Sequence, residues 1–229
     1  MLPDFRYFPG VLCGTASLIT FTFMRQFLLF SIFSLLMTFS SCGEKDSQLD
    51  RPSDPYAVAS TEGDALNVIV EIPAGTNQKI EFAQKTGFAS DTLNGGRARV
   101  INFLPYPGNY GFVPSTLMDR ARGGDGDPLD VLVLSESLET GTKIAAKPIA
   151  ALLLRDRGEI DTKIIAVPAD SSLRVFDVDN FLDLALENDA ARSIIETWFL
   201  NYKGPKQVEL IRWEDESYAW REVRKWKTD

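Results

Sequence analysis

The chain contains no histidine among its 229 residues. This absence excludes Ser-His-Asp triads, Cys-His dyads and histidine-ligated zinc, and it leaves carboxylate, tyrosine and lysine side chains for chemistry. Basic residues are also in deficit, with 24 Lys and Arg against 32 Asp and Glu and a net charge of −8. Such an excess of negative charge argues against nonspecific binding of nucleic acid, although phosphate can still bind where local cations outweigh the global sign.

Cysteine is nearly absent as well, since the only two are Cys13 and Cys42. From Met24 the sequence has a short basic segment, an apolar run over Phe27–Phe39 and small residues directly before Cys42. This order is typical of a signal peptide, and the run is shorter than the ~20 residues that span a bilayer as a helix. The segment resembles a bacterial lipoprotein signal, in which Cys42 carries the lipid.

These features predict three regions. Residues 1–41 are the signal peptide, with Met24 as an alternative start, and residues 42–63 are the lipid-attachment cysteine and a flexible, polar tether. Residues 64–229 are the folded domain. The expected location is the bacterial cell envelope, anchored to a membrane, and the alternative is the cytoplasm if the signal is not used. Loss of Cys13 with the signal leaves no disulfide.

Short apolar runs and turn residues alternate along the first part of the domain. Strands are predicted at Leu66–Pro73, Lys79–Phe82 and Asp130–Leu134, and the last of these is a buried strand. Lys143–Leu154 and Asp161–Pro168 predict two strands that pair around the intervening turn. Strands of this length and spacing favour a closed or nearly closed barrel.

The C-terminal part has helical spacing of its apolar residues instead. Helices are predicted over Asp177–Leu186 and Ala190–Asn201, and a strand at 207–213 precedes a last polar helix over Glu214–Lys227. The sequence therefore predicts an α+β fold, a small, OB-like closed β-barrel with flanking C-terminal helices.

Residues 123–134, GGDGDPLDVLVL, place Asp125, Asp127 and Asp130 on a Gly/Pro turn before the buried strand. Three carboxylates at close range repel one another unless a cation lies between them. Because the chain lacks histidine and a free cysteine, oxygen ligands favour a hard cation such as Mg²⁺ or Mn²⁺. Taken alone, the motif favours an Asp-Gly turn whose side chains are solvated over a metal site.

The segment DGDPLDV resembles the signature of the family I soluble inorganic pyrophosphatases, Asp-x-Asp-Pro-x-Asp followed by an apolar residue. The resemblance continues in order from about Leu66 to Lys203, through EIPAG, KIEF, YPGNYGF, DRGEIDTK and NYKG. A collinear series of this length is hard to explain by chance.

The resemblance implies a role for each matching acid. Asp127 would be the general base that takes a proton from the attacking water. The implied ligands of two or more Mg²⁺ ions, with Mn²⁺ as a substitute, are Glu71, Asp125, Asp130, Asp156 and Asp161.

The resemblance also implies which residues contact the substrate. Glu81 would support Lys79 or Arg99 without touching substrate, and Arg97 is the alternative position for the site arginine. The implied phosphate-binding side chains are Lys79, Arg99, Tyr106, Tyr110, Lys163, Tyr202 and Lys203.

We therefore expect a hydrolase that converts inorganic diphosphate to two orthophosphates, with metal-activated water and no covalent intermediate. Two alternatives stay open: an exported hydrolase of an organic diphosphate, and a catalytically inactive lipoprotein that binds phosphate or metal. The expected partners are pyrophosphate and a membrane, through the lipid anchor, with no nucleic acid. A homo-oligomer is a further expectation, and the sequence does not define its size.

Overall fold

The computed structural model describes residues 49–93 and 96–228. The strands of this part are β1 (Thr61–Glu62), β2 (Ala65–Ile72), β3 (Ile80–Ala83), β4 (Gly87–Ser90), β5 (Asn109–Phe112), β6 (Asp130–Val133), β7 (Lys143–Asp156), β8 (Glu159–Pro168) and β9 (Val208–Asp215). Its α-helices are α1 (Phe181–Leu186), α2 (Asp189–Asn201) and α3 (Glu216–Trp226).

The main sheet runs in the order β1-β2-β5-β6-β8-β7-β9, and β7 also pairs with β2. The five strands β2, β5, β6, β8 and β7 thus form a ring of pairings. All these pairs are antiparallel except β6 with β8, which is parallel. Strands β3 and β4 form a two-stranded sheet of their own. The α+β class predicted from the sequence is confirmed, and the strands of the sheet form a partly closed ring.

The ring strands are apolar on both faces because both faces are covered. Along β6, Val131 and Val133 belong to the core cluster that includes Val223 and Trp226 of α3. Leu132, between them, belongs to the second cluster, which contains buried residues of α1 and α2. Since successive side chains of a strand point to opposite faces, this alternation is the expected result of covering both faces.

Two of the predicted helices differ from those in the structure. The first begins at Phe181 rather than Asp177, because the Asn180 side chain accepts a hydrogen bond from Asp183 N–H and caps the helix there. The last helix, α3, is amphipathic rather than polar, since Ala219, Val223 and Trp226 are buried. In the sequence, the many charged residues of this helix obscure its narrow apolar face.

Residues 49–63, which we assigned to the flexible tether, pack against the domain. Thr61 and Glu62 pair with β2, and Asn67 N–H donates to Ser60 O over 3.0 Å. The described part of the predicted tether is therefore built into the fold. The signal peptide at 1–41 and the lipidation site Cys42 lie outside the described residues. Within the described residues, no helix has the length and apolarity to cross a membrane.

Candidate active site

An open cleft of about 440 Å³ lies where β3, the acidic loop before β6, the β7–β8 turn and the end of α2 approach one another. Every residue that the sequence assigned to metal binding, substrate binding or catalysis lines this cleft. Residues separated by more than a hundred positions in the chain are thus brought together. Of the two candidate site arginines, Arg99 lines the cleft and Arg97 does not.

Glu71 lies at an irregularity of β2, where the pairing with β5 shifts between Val70 and Ile72. The shift turns the extra residue toward the cleft, as β-bulges commonly do. Its Oε1 accepts a hydrogen bond from Phe82 N–H over 2.7 Å. Burial raises the pKa of Glu71 from 4.5 to about 8, and the negative charge of Asp130 adds to the rise.

The acidic loop is a tight turn with hydrogen bonds of its own. Asp127 N–H donates to Asp125 Oδ1 over 3.0 Å, and Met118 N–H donates to Asp127 O over 2.8 Å. Gly126 has a φ of 90°, which other residues rarely adopt. Burial raises the pKa of the Asp127 carboxyl, and the charges of Asp125 and Asp130 raise it further.

The parallel pairing of β6 with β8 sets Asp130 opposite Lys163. Lys163 is only 4% exposed; it forms ion pairs with Asp130 and, at 2.6 Å, with Asp161. Its ammonium also donates to Tyr110 Oη over 2.9 Å. Desolvation would lower the pKa of Lys163, but Asp130 and Asp161 oppose it and hold the pKa well above its ordinary value.

A second lysine follows α2. Lys203 forms an ion pair with Asp156, and its ammonium lies 5.2 Å from the centre of the Tyr202 ring. The other oxygen of that carboxylate, Asp156 Oδ1, is buried and has no hydrogen-bond partner in the described part of the chain. A buried carboxylate oxygen without a partner is costly, so it is a natural ligand for a cation.

The site tyrosines pack against one another and against Trp198. The Tyr106 ring lies 5.3 Å from Tyr110 and 4.4 Å from Trp198, which stacks on Tyr202 at 4.8 Å. Trp198 is fixed by donating its Nε1–H to Leu104 O over 2.8 Å. Burial raises the pKa of Tyr106 and of Tyr110, so both phenols are neutral hydrogen-bond donors at physiological pH.

The remaining cations lie directly before β3 and in the segment that follows β4. Lys79, directly before β3, forms an ion pair with Glu81. Lys79 N–H donates to Arg99 O over 3.0 Å, and Arg99 pairs with Asp91 at 3.1 Å. The two cations predicted to bind phosphate are therefore linked through the backbone.

The acids fit a divalent cation in chemistry, although Asp130, Asp156 and Asp161 form ion pairs with lysines in the structure. In the ranges that the structure describes, no three acidic side chains form a ready cation site. The donors are nevertheless all oxygens, as Mg²⁺ prefers. The unpartnered Asp156 Oδ1 is a carboxylate oxygen that such a cation could bind.

Four further polar residues line the cleft without having been predicted: Tyr56, Arg120, Arg157 and Glu159. Arg120 could have been predicted, because Arg120 and Arg122 are basic residues directly before the acidic loop. No motif indicated Tyr56, which precedes the resembling segment.

Comparison with known proteins agrees with this geometry. Residues 68–229 match the family model described as inorganic pyrophosphatase. Over 166 residues the chain is 37% identical to an inorganic pyrophosphatase of Saccharolobus solfataricus, covering 71% of this chain and 90% of the relative. Over 175 residues it is 35% identical to one of Agrobacterium fabrum, covering 72% and 90%.

Solved structures give the same result. An inorganic pyrophosphatase of Thermus thermophilus matches with a TM-score of 0.63 and 28% identity, covering 75% of this chain and 95% of that one. A type I inorganic pyrophosphatase of Toxoplasma gondii matches with a TM-score of 0.68 and 27% identity, covering 75% and 84%. The chain belongs to the inorganic pyrophosphatase family, which confirms the resemblance drawn from its motifs.

Proposed function

We propose that the protein hydrolyses inorganic pyrophosphate to two orthophosphates in this cleft by a metal-assisted mechanism. The observation that carries the proposal is the convergence of all the motif residues on one cleft. The similar proteins named inorganic pyrophosphatase support the assignment as an inorganic diphosphatase.

Substrate binding falls to the cations and phenols of the cleft. In the structure Lys79, Lys163 and Lys203 are each paired with a carboxylate. Phosphoryl oxygens would replace or share those partners, and charge-assisted hydrogen bonds of this kind are about twice as strong as neutral ones. Arg99 and the tyrosines Tyr106, Tyr110 and Tyr202 would donate to the remaining oxygens.

The acids Glu71, Asp125, Asp130, Asp156 and Asp161 would hold divalent cations, Mg²⁺ or in its place Mn²⁺. When bound, such ions neutralise phosphoryl charge and lower the pKa of water. The fit rests on the oxygen-only donor set and on the unpartnered Asp156 Oδ1.

Asp127 is the proposed general base. Its carboxyl lies between Asp125 and Asp130, and burial with these two charges brings its pKa closer to neutrality, where a base is most effective. Its carboxylate accepts a proton from water, the water oxygen attacks phosphorus, and the P–O–P bond breaks to release orthophosphate. Lys163 and Lys203 stabilise the charge of the leaving group.

The substrate is tested by orthophosphate release from pyrophosphate, a nucleoside diphosphate and an isoprenoid diphosphate at equal Mg²⁺. We expect pyrophosphate to be preferred by at least about 10²-fold in kcat/KM, since all its terminal oxygens are free to accept hydrogen bonds in the cleft, whereas an organic diphosphate has one of them esterified. Equal or faster release from an organic diphosphate would replace the proposal with the organic-diphosphate alternative.

We further propose that a lipid on Cys42 anchors the protein to the membrane of the bacterial envelope. The support is the order of the N-terminal sequence alone. Cys42→Ser should move the full-length chain from the membrane fraction to the soluble fraction, and unchanged membrane association would contradict the proposal.

A further inference from the structure

The segment from Asp54 to Ser60, here called the N-terminal arm, lies against the cleft, although it precedes every motif residue. It contains a short 3₁₀ turn over Pro55–Ala57, which Asp54 caps by accepting a hydrogen bond from Tyr56 N–H over 3.1 Å. The arm thus has a defined conformation, and Tyr56 projects from it to the cleft wall.

Tyr56 holds the β3–β4 hairpin. Its hydroxyl donates to Phe82 O over 3.2 Å, and its ring packs edge-on against the Phe82 ring at 4.9 Å. On its other side the Phe82 backbone donates its N–H to Glu71. The backbone of Phe82, the residue after Glu81, is therefore fixed by two hydrogen bonds. Its carbonyl accepts one from Tyr56 of the arm, and its N–H donates one to Glu71 of β2.

The other end of the arm is bonded to the segment that supports the acidic loop. Ser115 Oγ donates to Val58 O over 2.8 Å, and Ser115 has a φ of 49°, an uncommon value for a residue other than glycine. The next residue, Thr116, accepts a hydrogen bond from Leu129 N–H beside the acidic loop. The arm therefore connects the β3–β4 hairpin with the segment that holds the residue after Pro128 of the acidic loop.

The hairpin needs such support. Strands β3 and β4 form a separate two-stranded sheet, and an isolated hairpin is marginally stable in water. Lys79 and Glu81 are placed by this hairpin. We infer that Tyr56 is a positioning residue: its hydroxyl fixes β3 so that Lys79 can bind a phosphoryl group of the substrate. The inference rests on the proposed function for the identity of that substrate.

The test compares the full-length chain with Tyr56→Phe, which keeps the ring and removes only the hydroxyl. Tyr218→Phe is the matched control, because Tyr218 lies on α3 and does not line the cleft. Ser115→Gly is the second variant, since glycine accepts the positive φ and removes the hydrogen bond from Ser115 Oγ to Val58 O, while Asn67 still bonds the end of the arm. Steady-state kinetics with pyrophosphate and hydrogen–deuterium exchange in EDTA are measured for each.

We expect Tyr56→Phe to raise KM for pyrophosphate about three- to ten-fold, the equivalent of one lost hydrogen bond, with kcat within about twofold. Exchange should accelerate in Ile80–Ala83 and not in β8, and Ser115→Gly should act in the same direction while Tyr218→Phe changes neither quantity. Unchanged KM, or unchanged exchange in Ile80–Ala83, would overturn the inference. A parent chain without turnover would refute the proposed function instead, and exchange would then decide the role of Tyr56 alone.

Discussion

Lys163 is the residue on which the charge balance of the cleft depends. It is buried and forms ion pairs with both Asp130 and Asp161. Without its ammonium the two carboxylates would have no counter-ion, which would be strongly destabilising. The same ammonium bonds Tyr110, so it also orders a phenol proposed to bind substrate. The Lys163 side chain therefore both stabilises the fold and orders a residue of the proposed substrate site.

Replacing this lysine should be costly even without substrate. Lys163→Met leaves two acids near a buried apolar side chain, and we expect the free energy of unfolding to fall by about 3–5 kcal/mol in EDTA. Lys147→Met is the control, because its partner Asp179 is exposed and such a pair contributes at most about 1 kcal/mol. Urea denaturation measures both, and similar losses for the two variants would show that Lys163 is not a buried counter-ion.

Glu71 predicts a pH dependence of stability. In the unfolded chain its carboxyl releases a proton near 4.5, whereas the folded protein retains it to about 8. Between these values the unfolded state binds fewer protons, so the free energy of unfolding should fall as pH rises. At 1.36 kcal/mol per pKa unit, the full effect is on the order of 5 kcal/mol.

Glu71→Gln removes that titration, because the amide does not ionise. Denaturation in EDTA between pH 5 and pH 8 should therefore show a flatter pH profile for the variant than for the parent. Parallel profiles would mean that Glu71 is ionised in the folded, metal-free protein, contrary to the effect of its burial.

At the scale of elements, the close approach of β2 and β5 brings Glu71 and Tyr110 to one cleft. The approach is possible only because residue 111 is glycine: a Cβ there would lie 1.8 Å from Ile69 O, a backbone atom that cannot move aside. Gly111 is therefore needed so that β2 and β5 can pair in the ring, and not to make the backbone flexible.

Gly111→Ala should consequently disrupt the β2–β5 pairing and cost more than about 3 kcal/mol of unfolding free energy. Gly63→Ala is the comparison, since Gly63 has a φ of 58° and no atom within 4 Å of an added Cβ, so only backbone strain of about 1–2 kcal/mol is expected. Thermal or urea unfolding distinguishes the two, and equal small losses would contradict the clash.

The sequence predicts individual elements better than their contacts. The ring strands follow from apolar runs between turn residues, and the helices from apolar spacing. The start of α1 depended on a side-chain cap at Asn180, and the apolar face of α3 was masked by its charged residues. The packing of residues 49–63 was missed because their polar, Pro-containing composition is also that of a linker.

At the scale of the whole molecule, the motif residues of the site could be predicted because their order along the chain resembles a family. Their partners could not. The pairing of Lys163 with Asp130 arises from the parallel register of β6 with β8, and Tyr56 reaches the cleft because the chain folds back before β2. Both depend on three-dimensional proximity, which residue spacing does not encode.

The central claim is that this cleft hydrolyses pyrophosphate with Asp127 as the base, and steady-state orthophosphate release from pyrophosphate with Mg²⁺ tests it most directly. We predict turnover of at least about 1 s⁻¹ for the full-length chain. Asp127→Asn should reduce kcat by about 10²–10⁴-fold, while the exposed control Asp64→Asn leaves it unchanged. No release above an EDTA control by the parent chain, or an Asp127→Asn variant as active as the parent, would contradict the claim.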